Sequence, residues 1–454
     1  MIVYWTDGLL CLLCISFLIG IDQIRRSPPL RRTWHAVFTQ PLGMSSAVIL
    51  SCFLSVALLD CVHFKVTDPK TAYPDPVISA LDYLLTPLII KPEKTYSAPF
   101  ALVAFSKETR RNQAGQKIRD YPRLTHAGTH LSSPQAHLTD ILQRGLWGLC
   151  LGLLLSGSMI TLFHLTQARL SKQTLRTASW HCWRGKNPLA WRSGLITATL
   201  ILTLGCVVSS YIGYYHVLGT DKVGEDILYQ SLKSIRTGVI IGTLSTLFML
   251  PLSLLLGMMA GYFKGWIDDV IQYIYTTLNS IPSILLIVAA LLIVDIQFAE
   301  GIAVAEKADL KLLFLCLILG MTSWTGLCRL LRAETLKLRE LEFIQAAHAF
   351  GINHFVILLR HILPNVMHIV LISIAIDFSG LVLAEAVLSY IGVGIDPTMN
   401  SWGNMVNGAR LEMAREPMVW WTLMAAFLFM FTLVLAANLF ADTVRDAFDP
   451  KTRP

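Results

Sequence analysis

The sequence predicts an all-α polytopic membrane protein with about nine transmembrane helices. Of its 454 residues, 54% are hydrophobic and only 15% are charged, whereas about a quarter of the residues of a soluble domain are charged. Apolar stretches recur along the chain at about 20 residues each, the length a helix needs to cross a hydrocarbon core of about 30 Å. Together these two observations exclude a single soluble core.

The apolar segments of this length lie at roughly residues 3–21, 43–64, 145–166, 194–215, 237–262, 270–295, 311–331, 366–391 and 418–440. Nothing basic precedes Leu9, whereas Arg25, Arg26, Arg31 and Arg32 follow the first segment. A signal peptide has the opposite order, and Lys and Arg beside a span stay in the cytoplasm. The first segment is therefore expected to be an uncleaved span with its N-terminus outside. The odd number of spans then places the C-terminus in the cytoplasm.

The charges of two polar segments agree with this topology. Residues 167–193 carry basic residues and no acid, and residues 332–365 hold several arginines; both segments are expected inside. Residues 65–143 are expected outside, because loops longer than about 60 residues cross largely regardless of charge. Their prolines, including Pro87 inside a short apolar run, predict a small, loop-rich external domain. The net charge of +7 thus reflects topology, and no basic stripe with interleaved aromatic residues indicates nucleic-acid binding.

Two GxxxG patterns lie within predicted spans, at Gly148–Gly152 and Gly257–Gly261. Small residues one turn apart let helix backbones approach closely, and packing inside the bundle is favoured here over a dimerisation face. Nearly all of the nine cysteines lie within or close to apolar segments, which argues against a disulfide framework.

No sequence pattern indicates catalysis or a bound cofactor. The closest approach to a phosphate-binding loop, residues 185–187, lacks the leading glycine and the following Ser or Thr. His126, His130 and His137 are metal-ligand candidates in the external loop, although solvated histidines are the default without Cys or a helical frame. The chain is therefore expected to be a non-catalytic subunit without a metal or cofactor of its own.

The most informative segment follows the seventh span, at residues 342–365. Phe343, Ala347 and Phe350 recur at helical spacing and predict an apolar stripe. Gly351 is expected to end this helix with a positive φ, and Pro364 to end a second helix just before the next span. The result would be a rigid cytoplasmic helix–turn–helix whose apolar face suits a groove on a partner.

This segment resembles the EAA loop of ATP-binding-cassette importer permeases, in which the helix couples to the ATPase. Ala346, Ala347, Gly351 and Pro364 match the motif, whereas Gln345 stands where the family usually has Glu. The resemblance implies an ATPase-coupling role for Glu342, Gln345, Ala346, Ala347, Gly351, Arg360 and Pro364.

Further segments are similar to the C-type permeases of dipeptide, oligopeptide and nickel importers. Residues 218–226 resemble a Leu-Gly-Thr-Asp…Gly-Arg-Asp signature, with Glu225 in place of the usual Arg. Residues 257–268, 383–405 and 445–450 fit the same family, so the resemblance covers about residues 190–454. It implies an outer-face motif formed by Gly219, Thr220, Asp221, Gly224, Glu225, Asp226, Ser401, Trp402 and Gly403.

The resemblance also implies a division of the chain and a set of partners. Residues 191–454 are expected to form a type I importer core of six spans, with the coupling loop at 332–365. Residues 1–190 would be an N-terminal extension with about three spans and the external domain at 65–143. The implied partners are a homologous B-type permease, two ATPase subunits that use ATP and Mg²⁺, and an external solute-binding protein, in a bacterial inner membrane.

Asp377 and Glu385 are the acidic residues expected in the eighth span. They lie within about 80° of each other on a helix, and a charge at membrane depth usually faces a bundle interior or a water-filled cavity. Two roles stay open for them, namely contact with a peptide amine and a structural pair with a neighbouring helix. A secondary transporter or channel is the alternative class, and nickel, haem or antimicrobial peptides are alternative substrates.

Overall fold

The computed structural model describes residues 4–65, 77–111, 117–131, 134–171, 174–184, 189–297 and 304–448. Within them the chain is almost entirely helical, as predicted, and two antiparallel hairpins are the only sheets. The hairpins are β1 (His63–Lys65) with β2 (Val77–Ser79), in register His63↔Ser79, and β3 (Glu108–Arg111) with β4 (Lys117–Asp120), in register Glu108↔Asp120. Both lie in or beside the segment where the sequence predicts a loop-rich domain.

The described residues form seventeen α-helices. The first eight are α1 (Trp5–Arg26), α2 (Pro28–Thr39), α3 (Pro41–Cys61), α4 (Ala80–Leu84), α5 (Thr86–Ile89), α6 (His137–Ser171), α7 (Leu175–Trp183) and α8 (Trp191–Tyr211). The others are α9 (Ile227–Phe263), α10 (Trp266–Ser280), α11 (Ser283–Gln297), α12 (Val304–Arg339), α13 (Glu342–Ala349), α14 (His354–Ile357), α15 (Leu363–Ile391), α16 (Trp402–Glu412) and α17 (Trp421–Phe448).

Among the described residues, eight helices are long and apolar enough to cross a membrane, or nine if one bent pair counts as a span. This confirms a polytopic membrane protein with about nine transmembrane helices. The prediction of one continuous span at 270–295 is wrong, because α10 and α11 are bent by 87° where they meet. Ile281 is extended, with a ψ of 129°. Pro282 explains this, because a proline disfavours helical geometry in the residue before it.

One compact unit comprises residues 1–3, 38–237 and 400–436. Inside it α6 and α8 pack against each other at the first GxxxG pattern. A Cβ at Gly148 would lie 2.8 Å from Val207 Cα, and a Cβ at Gly152 would lie 2.7 Å from Thr203 Cα. The pattern therefore serves close helix packing within the chain, as predicted.

The other compact unit comprises residues 4–37, 238–399 and 437–454. Its second GxxxG pattern packs α9 against α12, where a Cβ at Gly257 would lie 2.8 Å from the Cys328 carbonyl oxygen. The buried core of this unit joins α9, α12, α13 and α15, and it includes Met249, Trp324, Leu331, Ile344, Ile362 and Val366. This core fixes the position of α13.

The predicted boundary between residues 190 and 191 does not coincide with the compact units. The reason is a set of contacts that crosses it within the first unit. Tyr96 Oη donates to Glu412 Oε1 at 3.0 Å, and Lys91 Nζ donates to the Gly213 carbonyl at 2.8 Å. Residues of the predicted external domain therefore pack in the same compact unit as residues of the predicted importer core.

A buried ionic cluster fastens the start of the same domain to α9. Lys233 lies 3.6 Å from Asp60 and also pairs with Asp82. Ser79 Oγ donates to Asp60 Oδ1 at 2.6 Å and forms a capping box with Asp82 at the start of α4. Removing one member would leave an uncompensated buried charge, so the cluster ties α3 and α4 to α9.

Candidate functional site

The helix–turn–helix segment (residues 342–364) has a defined turn after α13. Gly351 has a φ of +71°. Its N–H donates to the His348 carbonyl at 3.0 Å, and the Ile352 N–H donates to the Ala347 carbonyl at 3.2 Å. This pair of bonds is the Schellman arrangement that ends a helix with a left-handed residue. The predicted turn, with its positive φ at Gly351, is confirmed.

The two faces of α13 differ in exposure. Ile344 and Ala347 are 2% and 5% exposed and belong to the core, whereas Phe343 and Phe350 are 46% and 85% exposed. The prediction that Ala347 lies on the exposed stripe is wrong, because it follows Ile344 by three residues and so shares its inward face. The other predicted residues of this helix are exposed, namely Glu342, Gln345 and Ala346.

Pro364 does not end the second helix. A continuous helix runs from His354 to Ile391 and contains a π-helical turn at Leu358–Ile362. The predicted break is wrong because the wider turn just before Pro364 accommodates its ring and its missing amide hydrogen. Arg360 lies exposed on that turn.

Contacts from neighbouring helices hold this segment in place. Tyr262 Oη lies 2.8 Å from His354 Nδ1, which fixes the start of the second helix. The helix before the segment is itself fixed, since Arg332 of α12 makes a bidentate pair with Asp268 of α10 at 2.6 and 2.7 Å. Bidentate guanidinium–carboxylate pairs are geometrically specific. The exposed aromatic side chains of residues 342–350 are thus presented on a rigid support.

The Gly-Thr-Asp loop (residues 219–226) lies between α8 and α9. Gly219 and Gly224 have φ values of +77° and +87°. Thr220 is fully buried, and its Oγ1 donates to the Thr95 carbonyl at 2.9 Å and accepts from the Ser97 N–H at 2.7 Å. Residues 93–97 therefore pack directly against this loop.

The acidic residues of the Gly-Thr-Asp loop bind the backbone of the loop and of α9. Asp221 Oδ1 accepts from the Glu225 N–H at 2.9 Å. Asp226 Oδ1 accepts from the Leu228 N–H at 2.9 Å and so caps α9. Glu225 Oε2 accepts from Gln230 Nε2 at 3.0 Å. The acidic side chains of the motif therefore stabilise the conformation of the loop and the start of α9.

We expect Gly224→Ala to destabilise the fold much more than Gly213→Ala. The two glycines have almost the same φ, +87° and +86°, so each substitution costs about 1 kcal/mol in backbone strain. A Cβ at Gly224 would also overlap the Glu93 carbonyl, whereas at Gly213 its nearest neighbour would be Lys91 Nζ at 3.7 Å. Overpacking adds about 1–3 kcal/mol. Thermal unfolding in detergent measures the difference, and equal losses would contradict the close contact.

A buried histidine lies beneath the Gly-Thr-Asp loop. His216 Nδ1 lies 2.7 Å from Asp226 Oδ2, and its Nε2 lies 3.8 Å from Glu93 Oε1. Glu93 also accepts hydrogen bonds from the backbone of residues 125–127. Burial opposes the charge of His216, but the two carboxylates outweigh burial and raise its pKa to about 9. Burial likewise opposes ionisation of Glu93, but these contacts hold its pKa well below its usual range.

The raised pKa of His216 predicts a pH-dependent contribution to stability. The histidine gains its partners on folding, so the stabilisation is fully present below about pH 6.5, the pKa of a free histidine. It is lost as the pH rises through about 9. The melting temperature of His216→Asn should therefore fall furthest below wild type at low pH, and the difference should shrink above pH 9. Exposed His348→Asn is the control, and a pH-independent deficit in His216→Asn would contradict the pairing.

Residues 401–403 fasten α16 to α9. Ser401 Oγ accepts from the Asn404 N–H at 2.9 Å and caps α16. Trp402 is 2% exposed, and its Nε1 donates to the Ser231 carbonyl at 3.1 Å. Gly403 is buried as well. This part of the motif acts through packing inside the chain.

The two acidic residues of α15 have different surroundings. Glu385 is 3% exposed and accepts from Ser389 Oγ at 2.7 Å. Asp377 lies midway between Leu363 and Ile391 and is half-buried. Within the described part of the chain, no side chain forms a hydrogen bond or ion pair with it. An unpaired carboxylate at membrane depth is costly unless it faces water or a ligand, so Asp377 and Glu385 differ in what they need from their surroundings.

Comparison with known proteins identifies the family. A family model described as a binding-protein-dependent transport system inner membrane component matches residues 253–454. The glutathione transport system permease protein GsiD of Pectobacterium atrosepticum is 34% identical over 240 residues, which cover 52% of this chain and 73% of that protein. This chain belongs to that permease family.

Two further relatives of the permease agree with the resemblance seen in its sequence. The oligopeptide transport system permease protein OppC of Mycobacterium bovis is 32% identical, over 53% of this chain and 78% of that protein. The dipeptide transport system permease protein DppC of Bacillus subtilis is 27% identical, over 52% of this chain and 69% of that protein. The predicted similarity to C-type permeases of ATP-binding-cassette importers is confirmed.

Sequence reasoning missed the residues that support the Gly-Thr-Asp loop of this permease. Glu93, Thr95 and Ser97 contact the loop but lie far away in the chain, in a proline-rich segment without periodicity. The sequence indicates His216 only weakly, through its position between a span and the acidic motif. Only the folded structure brings these groups together.

Proposed function

We propose that this permease forms one half of the membrane pathway of an ATP-driven peptide importer, with a homologous B-type permease as the other half. The names of its relatives support a peptide substrate, since they are permeases for glutathione, oligopeptides and dipeptides. Family membership supports the transport role of the chain itself. In this proposal two partner ATPase subunits bind ATP and Mg²⁺ and carry out phosphoryl transfer.

The observation that carries the proposal is the exposed aromatic pair on the rigid helix–turn–helix segment. Phe350 is 85% exposed and follows a helix whose other face is buried in the core. Aromatic side chains that remain exposed on a fixed support are typical anchors for a pocket on a partner. We infer that Phe343 and Phe350 are the residues that enter the ATPase, with Gly351 setting the angle of α13.

The same proposal assigns sides of a bacterial inner membrane to the segments. The Gly-Thr-Asp loop and residues 65–143 would lie outside, where an external solute-binding protein delivers substrate. The helix–turn–helix segment and the C-terminus would lie in the cytoplasm. The charge distribution of residues 167–193 and 332–365 supports this assignment.

Single-cysteine labelling tests the sides, in a variant whose nine cysteines are replaced. Lys222→Cys and Gln345→Cys both introduce a thiol at an exposed position. A membrane-impermeant maleimide added to intact cells should label only Lys222→Cys, and Gln345→Cys should react after permeabilisation. Labelling of Gln345→Cys in intact cells would contradict the proposed orientation. Co-purification of tagged permease with its co-expressed ATPases tests the partnership separately.

A further inference from the structure

The N-terminal part of the chain, outside the residues matched by the family model, contains a basic cleft. α1 is long and apolar enough to span a membrane, and it ends with Arg25 and Arg26. Pro28 begins α2, where a missing amide hydrogen costs nothing. The Arg31 N–H donates to the Ser27 carbonyl at 3.0 Å, so the first turn of α2 follows the end of α1 directly. Four arginines are thereby gathered at one end of a membrane helix.

α2 is amphipathic and fixed on one side. Thr33 and Val37, four residues apart, are 7% and 0% exposed. Trp34 packs edge-on against Phe448 of α17, with ring centroids 5.6 Å apart. Arg31, Arg32 and His35 are exposed on the other side of the helix. The exposed arginines of α2 are therefore carried on a helix whose opposite face is anchored.

A cleft of about 330 Å³ opens between the end of α1 and α2. It is lined by Arg25, Pro28, Arg31, Arg32 and His35, without an acidic residue. In the described part of the chain, none of its three arginines forms an ion pair with a carboxylate, whereas Arg26, outside the cleft, pairs with Asp22 at 2.6 Å. The cleft thus gathers positive charge that no carboxylate of the described residues neutralises.

We propose that this arginine cleft (Arg25, Pro28, Arg31, Arg32 and His35) binds the phosphate headgroup of an anionic phospholipid. The guanidinium fork matches phosphate oxygens bidentately and is weakly hydrated, so it suits a headgroup at the membrane surface. Clusters of four or more arginines beside a membrane helix are typical of sites for anionic lipids. The position at the end of α1, a helix long and apolar enough to span the membrane, places the cleft at the depth of the headgroups.

The test is native mass spectrometry of the detergent-purified full chain titrated with phosphatidylglycerol or phosphatidylcholine. Wild type should retain phosphatidylglycerol selectively. Arg25→Gln, Arg31→Gln and Arg32→Gln, singly and combined, should weaken that binding by about fivefold for each arginine removed. The matched control removes three exposed positive charges elsewhere, by Lys107→Gln, Arg119→Gln and Lys222→Gln.

The outcomes distinguish binding of a phospholipid headgroup from binding of free phosphate and from a general effect of surface charge. Equal retention of the two lipids by wild type, or equal losses in the cleft and control variants, would overturn the proposal. Displacement of the lipid by millimolar inorganic phosphate would also overturn it in favour of a site for a free anion. Because the substituted arginines are exposed, an unchanged melting temperature is expected, and the single variants provide the same test if the triple variant unfolds.

Discussion

Phe350→Asp is expected to abolish ATP-driven uptake while the permease remains folded in the membrane. Phe350 is 85% exposed, so its replacement removes little packing within the chain. In the proposed complex its ring fills an apolar pocket, and burying an aromatic side chain contributes about 1.5–3 kcal/mol. An unpaired carboxylate in that pocket would add a larger desolvation cost. The ATPases should therefore dissociate, or their hydrolysis should no longer respond to substrate.

Two other variants separate loss of docking from loss of folding. Ala347→Arg places a charge in the core, where Ala347 is 5% exposed, and should lower the melting temperature of the chain. Tyr121→Asp changes an exposed aromatic residue in the predicted external segment and should keep both assembly and uptake. Assembly is measured by pull-down of the ATPases, and uptake in cells that carry each variant. Normal assembly and uptake by Phe350→Asp would show that residues 342–364 do not couple the permease to the ATPase.

Asp377→Asn is expected to reduce uptake of peptides with a free amino terminus by about 10-fold or more, since hydrogen bonds to charged groups contribute about 1.5–3 kcal/mol. The carboxylate lies midway along α15 without a partner among the described residues. A peptide ammonium group in the pathway would supply that partner. N-acetylated peptides lack this charge, so their uptake should change much less.

Glu385→Gln is the matched comparison on the same helix. Glu385 is buried and bonded to Ser389, so its substitution should lower stability and affect both classes of peptide equally. Uptake of free and acetylated peptides is measured in parallel for the two variants. An equal loss for both peptides in Asp377→Asn would assign Asp377 to a structural role instead of the pathway.

The membrane fold could be predicted from the sequence because its determinants are local. Span length and the positions of Lys and Arg depend on short windows of residues, and the structure confirms about nine candidate spans. The positive φ of Gly351 was predictable for the same reason, since glycine after a helix commonly adopts the left-handed conformation that ends it. The bend at Pro282 was missed because the total length of residues 270–295 suits a single span, although the proline interrupts the helix.

The errors in the candidate site come from contacts that no local pattern contains. Helical spacing placed Ala347 with Phe343 and Phe350, but the core formed by α9, α12 and α15 selects the face with Ile344 and Ala347. The low helix propensity of proline predicted a break at Pro364, but a π-helical turn accommodates this residue within a continuous helix. The family pattern marked Gly224, yet its reason is the approach of the Glu93 backbone from a segment outside the resemblance.

Peptide uptake into proteoliposomes tests the central claim most directly. The permease is reconstituted with its homologous partner permease and ATPases, and labelled peptide is presented with the solute-binding protein on the side of the Gly-Thr-Asp loop. We predict uptake that requires ATP at the opposite side, requires every subunit, and ceases in Phe350→Asp. The chain alone should neither hydrolyse ATP nor transport peptide. Uptake by the chain alone, driven by a proton or sodium gradient without ATP, would contradict the assignment and indicate a secondary transporter.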